Sequence, residues 1–332
     1  MNIFRKAYNV KTLLMAAFVA ATLPLSAPMA NAEGVAVDAK LPAYQAATGV
    51  TGNIDSIGSD TLNNLMTFWS ESFKKHYPNV KIQVEGKGSS TAPPALIAGS
   101  ATFGPMSRKM KNTEEDEFEK KYGFKPTPVG VALDSLAVFV NKDNPVKSLS
   151  MPQVDAIFSK SRKGGHADDI TEWKNFVSAG PLASMPISLY GRNSASGTYG
   201  YFKEHALYKG DFKDTVKEQP GSAAVVMGIT EDKAGIGYSG IGYVTSGVKA
   251  LPLAPKDGEP AFEANMENVL NGKYPLSRML YIYVVKEPNK PLPALQQEFL
   301  KFVLSKEGQE IVTKDGFLPL PAAMAAKEQA KI

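Results

Sequence analysis

The stretch GNIDSIGSDTLNNLMTFWSESF, residues 52–73, changes its rhythm at Gly58. Gly52 to Ile57 reads as a short strand, Gly58-Ser59-Asp60-Thr61 as a polar turn, and Leu62, Leu65, Met66, Trp69 and Phe73 then recur at the spacing of one helix face. The same order returns in VKIQVEGKGSSTAPPALIA, residues 80–98. There Val80 to Val84 alternate as a half-buried strand, Gly86 to Thr91 form the turn, and Pro93 to Ala98 a short helix. Two strand, glycine turn, helix units in close succession predict an α/β protein on parallel sheets, with ligands bound at the carboxyl ends of the strands.

Further along, Gly130 to Val140 is an almost continuous apolar run broken by one carboxylate, Asp134, and reads as a buried strand crossing between two lobes. The glycines of Ala234 to Tyr243 permit close approach and backbone rotation, which suits a second crossing. The expected division is residues 33–134 with 241–332 as one lobe and 135–240 as the other. Leu280 to Val285 predicts another strand, and Pro293 to Thr313 a closing amphipathic helix.

Composition narrows the function. A chain of 332 residues with 43% hydrophobic and 21% charged residues carries enough apolar mass for two core-bearing units. The 37 Lys and Arg face 33 Asp and Glu, and three of the cations, Arg5, Lys6 and Lys11, stand in an N-terminal segment that has no acid. The remainder is close to neutral, so nothing in the overall charge points to nucleic acid or an anionic membrane as partner. An anion, if bound, has to be held by a local site. Cysteine is absent and the three His, His76, His166 and His205, are scattered, which argues against disulfides, thiolate chemistry, zinc centres and a His relay. No metal or cofactor is expected.

Residues 1–32 combine a basic start, an apolar run from Leu13 to Leu25 and Ala30-Asn31-Ala32 before Glu33. This is the pattern of a cleaved signal peptide, and the apolar run falls short of the roughly 20 residues of a membrane span. The expected mature protein is periplasmic and begins near Glu33.

Three polar loops share one chemistry: Gly58 to Thr61, Gly88 to Thr91 and Gly191 to Thr198. Each offers hydroxyls and glycine-exposed N–H groups at an expected helix start, where unpaired donors and the positive end of the helix dipole hold tetrahedral oxyanions. A plain helix cap explains any one of them. Arg192, four residues before Ser196-Gly197-Thr198, adds a guanidinium fork to the third loop. Ser107 and Arg108 form a further candidate contact, although Arg108 also heads a charged stretch, Lys109 to Lys121, that reads as a solvated helix face. No G-x-S-x-G elbow, P-loop or dinucleotide-binding glycine pattern is present.

At these loops the sequence resembles the phosphate-binding proteins of ABC transporters, the PstS family. The resemblance rests on Gly58 to Leu62, Gly88 to Pro94, Gly104 to Met110 and Gly191 to Gly200, and extends over the whole mature chain. It implies a type II periplasmic binding protein fold of two α/β lobes joined by hinge strands, closing on one phosphate. It implies phosphate contacts from Ser59, Asp60, Thr61, Ser89, Arg192, Ser196, Gly197 and Thr198. Members of the family carry an Asp in the third loop that accepts a proton from phosphate; Ser107 and Arg108 stand there in this chain, which leaves Asp60 or Asp134 as the acceptor. The expected partners are inorganic phosphate and the membrane permease of an importer, with the protein a monomer and not an enzyme. The rival readings are a secreted phosphatase and a surface adhesion or assembly protein on the same scaffold.

Overall fold

The computed structural model describes residues 35–332. The chain runs through β1 (Asn53–Gly58), α1 (Asn63–His76), β2 (Lys81–Gly86), α2 (Ala92–Ala98), β3 (Gly104–Met106), α3 (Asn112–Tyr122) and the long strand β4 (Thr127–Asn141). Then come β5 (Leu149–Ser150), α4 (Met151–Phe158), β6 (Ser188–Arg192), α5 (Gly197–His205), β7 (Lys217–Gln219), α6 (Ser222–Glu231), β8 (Gly235–Gly240), β9 (Val248–Ala250) and β10 (Leu253–Ala254). The chain returns through α7 (Met266–Leu270), β11 (Ser277–Val284), α8 (Ala294–Leu304), α9 (Lys306–Lys314) and α10 (Ala322–Gln329).

Both strand–turn–helix units form: β1 and β2 pair in parallel, and α1 buries Leu65, Met66, Trp69 and Phe73. The Trp69 ring goes fully inside because its indole N–H finds a partner, the Gly308 carbonyl at 2.8 Å. Phe73 packs edge-on against Phe299 of α8, their centroids 5.2 Å apart. Each such buried side chain contributes roughly 1.5–3 kcal/mol.

The main sheet has the order β3-β11-β4-β8-β6-β7, with β9 also on β4. Its organising element is β4, whose side chains are buried from Val129 to Asn141. From Thr127 to Ser135 it pairs antiparallel with β11; from Leu136 to Val140 it pairs antiparallel with β8. The change of partner falls between Ser135 and Leu136, one residue beyond Asp134. Beyond it, β6, β7 and β8 run parallel or antiparallel to their neighbours as two helical crossovers, α5 and α6, require, and Phe202 of α5 stacks on Tyr238 of β8 at 3.9 Å. The glycine-rich segment expected as a second crossing is β8, followed by a 3-10 turn at Ile241–Tyr243.

One expected element is corrected. Pro293 to Thr313 is two helices, α8 and α9, because Ser305 leaves the helical path in extended conformation and its Oγ accepts from the Gly308 N–H at 3.3 Å. The apolar spacing continues across the break, so periodicity alone reads it as one helix. Among the described residues no helix is long and apolar enough to cross a membrane.

Candidate functional site

The loops that precede α1, α2 and α5 are laced together by their backbones. Gly88 N–H donates to the Gly58 carbonyl at 2.8 Å, Ser59 N–H to the Pro105 carbonyl at 2.8 Å, and Ser90 N–H to the Ala195 carbonyl at 3.1 Å. Gly88 has φ +124°, and a Cβ there would meet the Ala195 carbonyl oxygen at 2.6 Å, so only glycine lets these two loops touch.

The lacing gathers hydroxyls in a buried cluster. Ser107 N–H donates to Ser89 Oγ at 3.0 Å, and the two hydroxyls lie 3.2 Å apart. Thr61 Oγ1 lies 3.0 Å from Thr198 Oγ1. Ser196 Oγ caps α5 by accepting from the N–H groups of Thr198 and Tyr199, at 3.1 and 3.4 Å. Gly197 opens that helix and sits between the serines: a Cβ on it would fall 2.3 Å from Ser89 Oγ and 2.6 Å from Ser107 Oγ. Ser59 is buried as well, in the loop whose N–H reaches the Pro105 carbonyl. Of the expected site residues, Ser59, Thr61, Ser89, Ser107, Ser196, Gly197 and Thr198 thus share this part of the fold.

The charged residues take different places. Arg192 is fully buried, not a surface arginine; Nη1 donates to Ser222 Oγ at 2.7 Å and lies 3.2 Å from Asp60 Oδ2, and Nη2 donates to the Pro220 carbonyl at 3.2 Å. Its Nε is buried without a partner, and among the described residues no hydrogen bond joins its side chain to Ser196, Gly197 or Thr198. Burial weakens its hold on the proton, and the Asp60 carboxylate opposes that loss. Asp60 does not cap α1, whose start lacks a side-chain cap; its Oδ2 instead accepts from the Ser222 N–H at 2.8 Å, at the first turn of α6. Arg108 is held by Glu114, each terminal nitrogen 2.7 Å from one of its oxygens, and Nη2 also donates to Ser90 Oγ at 3.4 Å. That pairing holds the Glu114 carboxyl below its ordinary range against the pull of burial. Arg108 and Ser196 line an adjoining cavity of about 420 Å³ with Lys111, Tyr199 and Lys203.

Asp134 has a partner that the sequence reading missed. Arg278 stands opposite it in the β4–β11 register, and its Nε and Nη2 donate to Asp134 Oδ2 at 2.9 and 2.6 Å. Asp134 Oδ1 accepts from the Ile241 N–H at 3.1 Å. The signal available was indirect: a carboxylate inside an apolar strand needs a buried donor, and Arg278 falls just before the expected strand at Leu280. The two arginine–aspartate pairs cancel in charge. What remains for a ligand is a set of hydroxyl and N–H donors at helix starts, the chemistry that holds a small oxyanion.

Comparison with known proteins places the chain in a family. Residues 43–307 match the PBP superfamily domain. The phosphate-binding protein PstS of Pseudomonas aeruginosa is 58% identical over 316 residues, which cover 95% of this chain and 96% of that protein. PstS of Staphylococcus epidermidis is 31% identical over 262 residues, 78% of this chain and 76% of the relative. Among solved structures, a phosphate ABC transporter substrate-binding protein from Clostridium perfringens with bound phosphate superposes with a TM-score of 0.67 at 29% identity, covering 81% of this chain and 100% of that one. The fold is accordingly the type II binding-protein fold, and the chain belongs to the PBP superfamily and, within it, to the PstS family of phosphate-binding proteins.

Proposed function

We propose that this protein binds inorganic phosphate reversibly between two lobes and delivers it, as a periplasmic monomer, to the membrane permease of an ABC importer. The observation that carries the reading is the buried convergence of Thr61, Ser89, Ser107 and Thr198 hydroxyls on the start of α5, with Gly197 leaving room for nothing larger than a hydrogen. Kinship with PstS supplies the identity of the anion.

The lobes of the proposal are residues 33–134 with 241–332, and 135–240; the change of β4 partner after Ser135 supports that division. Export rests on the leader, residues 1–32, which lies outside the described residues. Periplasmic material with an intact mass starting at or near Glu33 is the expected result.

Asp60 is the better-supported acceptor for the phosphate proton. Both oxygens of Asp134 already receive donors, from Arg278 and from the Ile241 N–H, whereas the bonds of Asp60 fall on Oδ2 alone. A carboxylate facing the anion accepts from the O–H of phosphate but meets fully ionised sulfate with like charge and no donor, a penalty of roughly 1–3 kcal/mol or more. Isothermal titration with phosphate, sulfate and molybdate tests the reading: phosphate is expected to bind at least about a hundredfold more tightly than sulfate. Equal affinity for the two overturns it.

A further inference from the structure

Arg278 enters the site from the start of β11, and its guanidinium fans out to three separate segments. Besides its two bonds to Asp134, Nη1 donates to the Ser107 carbonyl at 2.9 Å and Nη2 to Thr198 Oγ1 at 3.0 Å. The Tyr201 ring, one turn along α5 from Thr198, lies 5.4 Å from the guanidinium carbon. Arg278 therefore ties α5 to β4 and to the loop after β3, at the point where β4 changes partner.

A guanidinium only donates. Thr198 Oγ1 accepts from Arg278, so the hydrogen of its own hydroxyl points elsewhere, either to Thr61 Oγ1 or to a ligand oxygen. Asp134 balances the charge of Arg278, so the hydroxyl is oriented without adding net charge to the cleft. We infer that Arg278 is a positioning residue for the anion: it fixes the Thr198 hydroxyl as a donor, so that bound phosphate presents an unprotonated oxygen to Thr198 and carries its proton on another face. This inference rests on the phosphate reading above. It agrees with an acceptor on the Asp60 side of the site, since the phosphate oxygen that receives the Thr198 hydrogen is not the one that carries the phosphate proton.

The test is a double-mutant cycle read by phosphate titration of the wild type, Arg278→Lys, Thr198→Val and the double variant. Lysine keeps a cation beside Asp134 but cannot reach Asp134, the Ser107 carbonyl and Thr198 together. Each single change is expected to weaken phosphate binding about tenfold, and the double variant to bind no more weakly than Thr198→Val by more than about twofold, because both changes remove the same oriented donor. Losses that multiply to about a hundredfold overturn the inference. A wild type that binds no phosphate removes the phosphate reading and this inference with it; multiplicative losses in a protein that does bind phosphate remove the inference alone. A crystal structure of the phosphate-bound wild type gives an answer even where Arg278→Lys fails to fold. Thr198 Oγ1 is expected within hydrogen-bond distance of both Arg278 Nη2 and a phosphate oxygen, and loss of either contact overturns the inference.

Discussion

Gly197 rests directly on Ser89: a methyl group at Gly197 would stand 2.3 Å from Ser89 Oγ, closer than any unstrained contact allows. Gly197→Ala therefore has to push the start of α5 away from the loop before α2. Overpacking of this kind costs roughly 1–3 kcal/mol of stability; because it also displaces the donors at the start of α5, phosphate affinity is expected to fall about tenfold or more with the far-UV circular dichroism unchanged. Wild-type affinity in a folded Gly197→Ala protein would show that the two serines are not part of the binding surface.

Asp60→Asn and Asp134→Asn each remove the counter-charge of a buried arginine and are expected to differ in their effect on the anion. At Asp60 an amide donates as well as accepts, so phosphate binds more weakly and the ratio of phosphate to sulfate affinity narrows. At Asp134 the change leaves Arg278 buried without its counter-charge, and the loss is in stability, about 3–5 kcal/mol in denaturant unfolding. Parallel titrations with the two anions check the first expectation; a ratio unchanged in Asp60→Asn removes Asp60 as the proton acceptor.

Arg192→Ala and Arg108→Ala separate the two arginines. Arg192 is buried against Asp60 and Ser222, with its Nε unpartnered, and its loss is expected to lower phosphate affinity severely and to cost stability as well, because Asp60 loses its buried counter-charge, without abolishing the fold. Arg108 is committed to Glu114, so its removal is expected to cost less affinity and to appear in the melting temperature. Small, equal losses of affinity in both variants would contradict this assignment.

Asp315, at the end of α9, has Oδ2 buried without a hydrogen-bond partner, and burial pushes its pKa from 3.8 up to about 7. In the unfolded chain it ionises at its ordinary value; in the fold it keeps its proton until about pH 7. Its contribution to stability is therefore full below about pH 4 and is lost as the pH rises through 7. Asp315→Asn, which resembles the protonated form, is expected to raise the melting temperature by roughly 2–4 °C at pH 8 and to leave it unchanged at pH 4. A gain of the same size at both pH values would mean that ionisation is not its cause.

What is local can be read along the chain. Helical spacing from Leu62 to Phe73, strand alternation from Val80 to Val84 and hydroxyl-rich glycine turns ahead of three helices are set by backbone geometry and near neighbours, and each forms where the residues place it. Which charges meet depends on the packed fold. A carboxylate buried in an apolar strand announces that it needs a donor, but the donor of Asp134 comes from Arg278, 144 positions away, through the register of two strands. Arg192 and Arg108 likewise look alike as loop arginines, yet one is drawn into Asp60 and the start of α6 while the other pairs with Glu114 six residues on. The break at Ser305 was hidden for the complementary reason: apolar spacing runs across it, and the break is one extended residue whose hydroxyl oxygen caps the start of α9. Long-range pairing follows from how the chain closes on itself, and that closure is a property of the whole packed core, which no single stretch of sequence carries.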